Sequence, residues 1–189
     1  SVPFGRNILF QLGDDDSKLV GVEICEDAWV PDTPSTQLAL AGATIICNLS
    51  ASNVTTGKPD YRRQLITSLS ARLICGYAYA SGGPGESSND VAWDGHCILA
   101  ENGSLLAEHQ SWLDTSSKLT ITDIDIDRLH HDRLKFHTFD GPKPKRIVKT
   151  VSAHCADNVA LLRNVPQFPY VPSDLGQRDK RCEEVYQIQ

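Results

Sequence analysis

Methionine is absent from all 189 residues, position 1 included, and the opening V-P-F-G-R reads as the middle of a motif. Both features lead to the expectation of a piece of a longer polypeptide. Long hydrophobic runs are absent as well. No stretch approaches the roughly 18 apolar residues of a membrane span, and none resembles a secretory leader. The expected setting is therefore the cytoplasm, with no membrane partner. Positive charge is in deficit: 18 Lys and Arg against 24 Asp and Glu give a net charge of −6. An acidic chain without a basic stripe offers little to a phosphate backbone, which argues against nucleic acid as a partner.

Paired metal-ligand and disulfide patterns are also missing. Cys25, Cys47, Cys75, Cys97, Cys155 and Cys182 form no C-x-x-C, and several sit in apolar runs. That is the pattern of reduced, mostly buried thiols rather than of a zinc site or a disulfide framework. His96, His109, His130, His131, His137 and His154 form no H-E-x-x-H, and none has a setting that marks it as the base of a Cys–His hydrolase. Gly82-Gly83-Pro84-Gly85 is a loop with no basic residue and no phosphate-loop pattern. Asn48, Asn53 and Asn102 each head an N-x-S/T triplet, read as chance in a chain without a secretory signal.

What is present is an apolar fraction of 40%, ample for one domain core, and one stretch around which the chain is organised. Residues 18–31 read K-L-V-G-V-E-I-C-E-D-A-W-V-P. Leu19, Val20, Val22 and Ile24 make a short β-branched run, hence a strand. It ends at Cys25, Glu26 and Asp27 follow, and Pro31 breaks the element. A cysteine at a strand end is, taken alone, more often a small buried hydrophobe than a catalyst. Here Glu23, Glu26 and Asp27 surround it, and carboxylates disfavour a neighbouring thiolate. No cation lies nearer in sequence than Lys18. If Cys25 is a nucleophile, its base and its cation come from elsewhere in the fold.

These residues resemble the nucleophile segment of the nitrilase (carbon–nitrogen hydrolase) superfamily. More narrowly, the chain resembles the glutaminase domain of the glutamine-dependent NAD synthetases. The further motifs are N-L-S-A-S-N at 48–53, G-K-P-D-Y-R-R at 57–63, G-E-S-S-N-D-V-A-W-D-G-H at 85–96 and E-N-G-S-L-L-A-E at 101–108, in the same order. The resemblance spans essentially the whole chain. It implies an α/β fold, the nitrilase-type α-β-β-α sandwich, of which this is a partial, second half followed by an extended linker. It also implies a Glu–Lys–Cys triad, of which only Cys25 has a counterpart here. The Glu and Lys belong to segments upstream of residue 1, so this chain alone is expected to be inactive. The implied substrate is L-glutamine, met by Ser52 and Lys58, with Glu26 and Trp29 lining the pocket beside the nucleophile. Taken without the resemblance, Ser52 reads as a turn residue and Lys58 as a solvated one. No cofactor is expected in this chain. ATP and magnesium belong to a synthetase domain absent from it. A homo-oligomer is implied. The alternatives are a stand-alone nitrilase-type amidase and a non-catalytic oligomerisation module.

Along the chain, periodicity predicts a strand at 7–12, a turn at 13–17 and the cysteine strand. A short helix opens at Pro34-Ser35, with Ser35 as N-cap and Gly42 as stop. A buried strand follows at 43–49, then a polar loop at 50–57. A helix starting at Pro59 carries a stripe of Tyr61, Leu65, Leu69 and Leu73. Then come a strand at 74–80, a hairpin of 96–100 with 104–108 across Asn102-Gly103, and an alternating, half-solvated strand at 118–126. Glu86, Asp90, Trp93 and Asp94 read as a structural loop with solvated acids. The expected division is the hydrolase part at 1–139 and a linker plus first helix at 140–189. Within the latter lie a basic loop at 141–146, an extended segment at 166–173 and a helix at 178–189, with Val185 and Ile188 on one face.

Overall fold

The computed structural model describes residues 2–86, 90–112, 116, 118–153, 160–165 and 167–189. Expectations that fall on Cys155, His154, Pro166 and positions 87–89 of the glycine-containing loop lie outside the described residues. In chain order the strands are β1 (Ile8–Leu12), β2 (Leu19–Ile24), β3 (Ile45–Ser50), β4 (Gly76–Ser81), β5 (Cys97–Glu101), β6 (Ser104–His109) and β7 (Ile147–Val151). The helices are α1 (Pro34–Leu40), α2 (Lys58–Leu73), α3 (Ile126–Arg133) and α4 (Leu175–Ile188). Short 3-10 turns occupy Cys25–Ala28 and His137–Phe139.

The strands form one sheet in the order β6-β5-β4-β3-β2-β1-β7. β2, β3 and β4 are parallel. β1 and β5 flank them antiparallel, and β7 adds to β1 in parallel. The apolar runs of β2 and β3 are joined through α1, and those of β3 and β4 through α2, as parallel pairing requires. The carboxyl ends of β2 and β3 therefore emerge side by side. Open α/β sheets bind ligands outside this edge.

One sheet face is packed. Leu9, Leu19, Ile46, Tyr77, Tyr79, Ile98 and Ala100 join Leu38 and Ala39 of α1 and Ile66, Leu69 and Leu73 of α2 in a single core. On the other face Val22, Cys47, Ala78 and Leu99 share a register row and are half-buried. One row nearer the carboxyl edge, Ile24 is 65% and Leu49 58% exposed.

Several local expectations shift. The N-cap of α1 is Thr33, not Ser35. Pro34 occupies the first turn, and Ser35 is fully buried with its N–H committed to Glu23. Gly42 follows the helix with φ +116°, a region glycine tolerates best, and so ends it as expected. The buried side of α2 is Arg62, Ile66, Leu69, Ser70 and Leu73. Tyr61 leaves the predicted stripe and is 57% exposed, because its ring stacks elsewhere. The strand expected from Ile74 starts at Gly76, since Ile74 takes φ +46° to close α2. The helix expected from Arg178 starts at Leu175, capped by Asp174, whose carboxylate accepts from the Gln177 N–H at 2.8 Å.

The strand expected at 118–126 is not one. Residues 118–125 join no ladder, and α3 begins at Ile126 with Asp125 as its cap. Ile124 lies directly over Gly76, where any added Cβ would sit 2.7 Å from its Cδ1. The alternation serves that crossing rather than a sheet. Residues 147–151, inside the stretch read as linker, form the edge strand β7. Residues 167–173 run through bends and turns, with Val171 N–H bonding Phe168 C=O at 3.1 Å. Among the described residues, no helix is long and apolar enough to cross a membrane.

Candidate active site

Cys25 leaves the end of β2 with φ +52°, in the left-handed region that side chains with a Cβ rarely enter. Two contacts hold it there. The Ile24 N–H donates to Asp27 Oδ2 at 2.9 Å, closing the turn beyond it. Asn48, opposite Glu23 in the β2–β3 register, donates from Nδ2 to the Cys25 carbonyl at 3.3 Å. Ser50 Oγ in turn donates to Asn48 Oδ1 at 2.8 Å and fixes that amide's orientation. The thiol side chain is half-buried at the sheet edge.

Beneath it Glu23 is buried at 1% exposure. Its carboxylate accepts from the Ser35 N–H at 2.9 Å and from the Tyr77 hydroxyl. Burial, and then the Glu23 charge, push the Tyr77 phenol up, so it stays a donor. Asn48 Nδ2 also faces Glu23 Oε1, at 3.5 Å. Glu23 thus braces α1, β3 and β4 against β2 from behind.

Trp29 is half-buried, four residues past Cys25, and its N–H donates to the Glu26 carbonyl at 2.8 Å. Its ring stacks on Tyr61 at 5.4 Å between centroids. The Lys58 ammonium lies 5.5 Å from the Trp29 ring centroid and donates to Asn53 Oδ1 at 3.0 Å. Burial and the Arg62 charge lower the Lys58 pKa, while Cys25 and Asp94 act against that shift. Ser52 is 8% exposed, and its carbonyl accepts from Arg62 Nη2 at 3.4 Å. Glu26 is exposed on the turn after Cys25.

The structure thus gathers Cys25, Trp29 and Lys58 at the carboxyl edge, with Ser52 buried in the loop leading to Lys58. Sequence reading missed Asn48, Asn53 and Tyr61. Asn48 carried a signal, being a polar residue inside the run I-I-C-N-L. The acids of the 82–96 loop divide. Glu86 and Asp90 are exposed as expected, but Asp94 is fully buried and paired with Arg62 at 2.9 Å. Among the described residues no histidine hydrogen-bonds to Cys25, and no group of three or more His, Cys, Asp and Glu side chains is placed to hold a metal. The other thiols differ in kind. Burial pushes Cys75 up to about 12, and burial raises Cys47 and Cys97 as well. Of these thiols, Cys25 alone sits at a positive-φ position, at the carboxyl end of β2.

Comparison with known proteins fits this geometry. The chain is 40% identical over 196 aligned residues to the glutamine-dependent NAD(+) synthetase of Mycobacterium tuberculosis, covering 100% of this chain and 29% of that protein. The glutamine-dependent NAD(+) synthetase of Mycobacterium leprae is also 40% identical, covering 99% of this chain and 28% of that protein. The chain therefore spans less than a third of the length of these curated relatives. Among solved structures, a carbon-nitrogen hydrolase from Helicobacter pylori aligns with a TM-score of 0.54 at 16% identity, over 67% of this chain and 46% of its own, a likeness of fold. The carbon-nitrogen hydrolase family model matches residues 3–133, from before β1 to the end of α3 and including every residue of the candidate site. By that match the chain belongs to the carbon-nitrogen hydrolase family.

Proposed function

We propose that this chain is the nucleophile-bearing part of a glutaminase within a glutamine-dependent NAD synthetase. One observation carries the reading. A match over the whole of this chain, to 29% of the length of such a synthetase, coincides with a cysteine held at positive φ on the carboxyl edge of a parallel sheet. In the proposed reaction the Cys25 sulfur attacks the side-chain amide carbon of L-glutamine. The carbon–nitrogen bond breaks, the nitrogen takes a proton and leaves as ammonia, and a thioester remains. Water then attacks the thioester, releasing glutamate and returning the proton to the enzyme.

The chain's own residues fit the binding half of that task. Lys58, fixed by Asn53 and braced over Trp29, offers a point charge to the substrate α-carboxylate. Ser52 contributes from the same loop, and the Glu26 carboxylate offers an acceptor for the α-ammonium. The general base Glu and the oxyanion-stabilising Lys of the resembled triad lie outside residues 1–189 in this reading. Residues 1–189 alone therefore bind glutamine without turning it over. The ammonia passes to a ligase domain that amidates nicotinic acid adenine dinucleotide. ATP and magnesium act in that domain, and no step here is assigned to them. The assembly is a homo-oligomer in the cytoplasm.

Glutamine-dependent ammonia release tests the reading. Residues 1–189 alone are expected to release none. The longer polypeptide is expected to release ammonia, and Cys25→Ala to abolish it. Release that survives Cys25→Ala overturns the mechanism.

A further inference from the structure

Behind the candidate site lies a chain of charge that the proposed chemistry does not use. Arg62, Asp94 and His96 are each 0% exposed. Arg62 Nη1 donates to both Asp94 oxygens, at 3.1 and 2.9 Å, and to His96 Nδ1 at 3.0 Å. Its Nη2 donates to the Ser52 carbonyl at 3.4 Å, and its Cζ lies 5.5 Å from the Tyr79 ring centroid. Gln110 Nε2 donates to Asp94 Oδ2 at 3.0 Å. His96 Nε2 meets Glu108 Oε1 at 2.6 Å, and Glu108 accepts from Arg63 Nε at 2.8 and 2.9 Å.

This arrangement fixes one tautomer. A guanidinium only donates, so His96 Nδ1 must be the acceptor. The ring proton is then on Nε2, pointing at Glu108. The imidazole is neutral, in keeping with the burial that lowers its pKa. Each partner is thereby committed to one role and one direction.

Stability alone is a poor reason for such a cluster. Two charges moved fully out of water lose hydration that their attraction often fails to recover, and an apolar packing of equal volume commonly does as well. What the cluster adds is geometry. Arg62 stands one helical turn after Lys58, on the same side of α2. It reaches back to Ser52, ten residues earlier, from within the core. The loop is clasped from the same quarter: Val54 N–H donates to Ala92 C=O at 2.9 Å, and Gly82 N–H to Ser50 C=O at 3.0 Å. Residues 50–57 present Ser52 and Asn53, and Asn53 holds Lys58.

We propose that Arg62, Asp94 and His96 are positioning residues that set the 50–57 loop, and so govern glutamine affinity rather than the reactivity of Cys25. This rests on the glutaminase reading for the identity of the ligand.

Arg62→Lys and His96→Gln test it. Lysine cannot reach Asp94, His96 and Ser52 together. Glutamine can still donate toward Glu108 but loses the acceptor facing Arg62. Hydrogen exchange on residues 1–189 is expected to quicken about tenfold at 50–57, the scale of one lost charged hydrogen bond. Alkylation of Cys25 by iodoacetamide should stay within about twofold of the parent. In the longer polypeptide, KM for glutamine should rise about tenfold with kcat within about threefold. Unchanged exchange at 50–57 in both variants overturns the proposal. So does a fall in kcat at unchanged KM, or alkylation that rises in step with exchange. Should Arg62→Lys fail to fold, His96→Gln carries the same outcomes. The glutaminase reading fails separately, through ammonia release that survives Cys25→Ala, and the exchange measurement does not depend on turnover.

Discussion

The backbone at Cys25 makes a stability prediction with an unusual sign. In an ordinary strand-end position, replacing alanine by glycine costs about 0.5–1 kcal/mol, because glycine loses more chain entropy on folding. At φ +52° the Cβ is the liability, and the left-handed region costs a non-glycine residue roughly 1–2 kcal/mol. Subtracting the entropy term leaves Cys25→Gly more stable than Cys25→Ala by about 0.5–1 kcal/mol. For a chain of this size that is about 1–4 °C in Tm. Both variants lack the thiol, so the comparison isolates the backbone. Thermal and urea denaturation followed by circular dichroism measure it. The strain is sustained by the Asn48 bond to the Cys25 carbonyl and by the Asp27 bond to the Ile24 N–H. If Cys25→Gly is the less stable by about 1 kcal/mol, the ordinary strand behaviour holds. Cys25 is then not held under strain.

Three further outcomes follow from the buried groups and the open face. His96 has a folded pKa below its ordinary value, through burial. The unfolded chain therefore takes up a proton first, and stability present above about pH 6.5 falls as pH drops through the folded value. Urea unfolding free energy should decline between pH 7.5 and 5.5, before the carboxylates titrate, and His96→Asn should flatten that window; a flat profile for the parent chain refutes it. Iodoacetamide followed by peptide mass mapping should label Cys25 and the exposed Cys182 well before Cys75, which is 0% exposed and pushed up to about 12 by burial; equal labelling of Cys75 would mean the core opens freely. The face bearing Ile24 and Leu49, 65% and 58% exposed, should bind an apolar dye such as ANS and drive self-association of residues 1–189. Substituting both by serine should reduce dye binding and shift the chain toward monomer, and no change in either would remove that face as the cause.

The legible parts of this fold are those written in contiguous residues. β2 and β3 show as short β-branched runs, and Asn102-Gly103 forms its turn with φ +43° and +84°, as that dipeptide predicts. The illegible parts depend on residues far apart. Alternation at 118–126 looked like a strand because period two marks any extended segment with one face inward. What it packs on is Gly76, and Asp123 and Asp125 spend their backbone and carboxylate groups on Arg163, Leu162 and Glu101 instead of a ladder. Tyr61 kept helical spacing with Leu65, yet it left the core because Trp29, thirty-two residues earlier, offers its ring a partner.

The same division runs through the site. The acids around Cys25 imply that any cation must be brought by the fold, and sequence could state that need without locating its source. The parallel register of β2 with β3, Ile24 opposite Leu49, makes the location a matter of topology. Whatever loop leaves β3 must hang beside the end of β2. The first eight residues after Ser50 end in Lys58, so the connection that a parallel pair demands delivers an ammonium over the Trp29 ring, four residues past the thiol. Arg62, one turn later, then falls inside the core, where a guanidinium needs a buried anion to remain. Asp94 meets that need from thirty-two residues away. A local motif singles out Cys25. The crossover connection that the sheet requires brings its surroundings, and the charge buried in making that connection holds them in place.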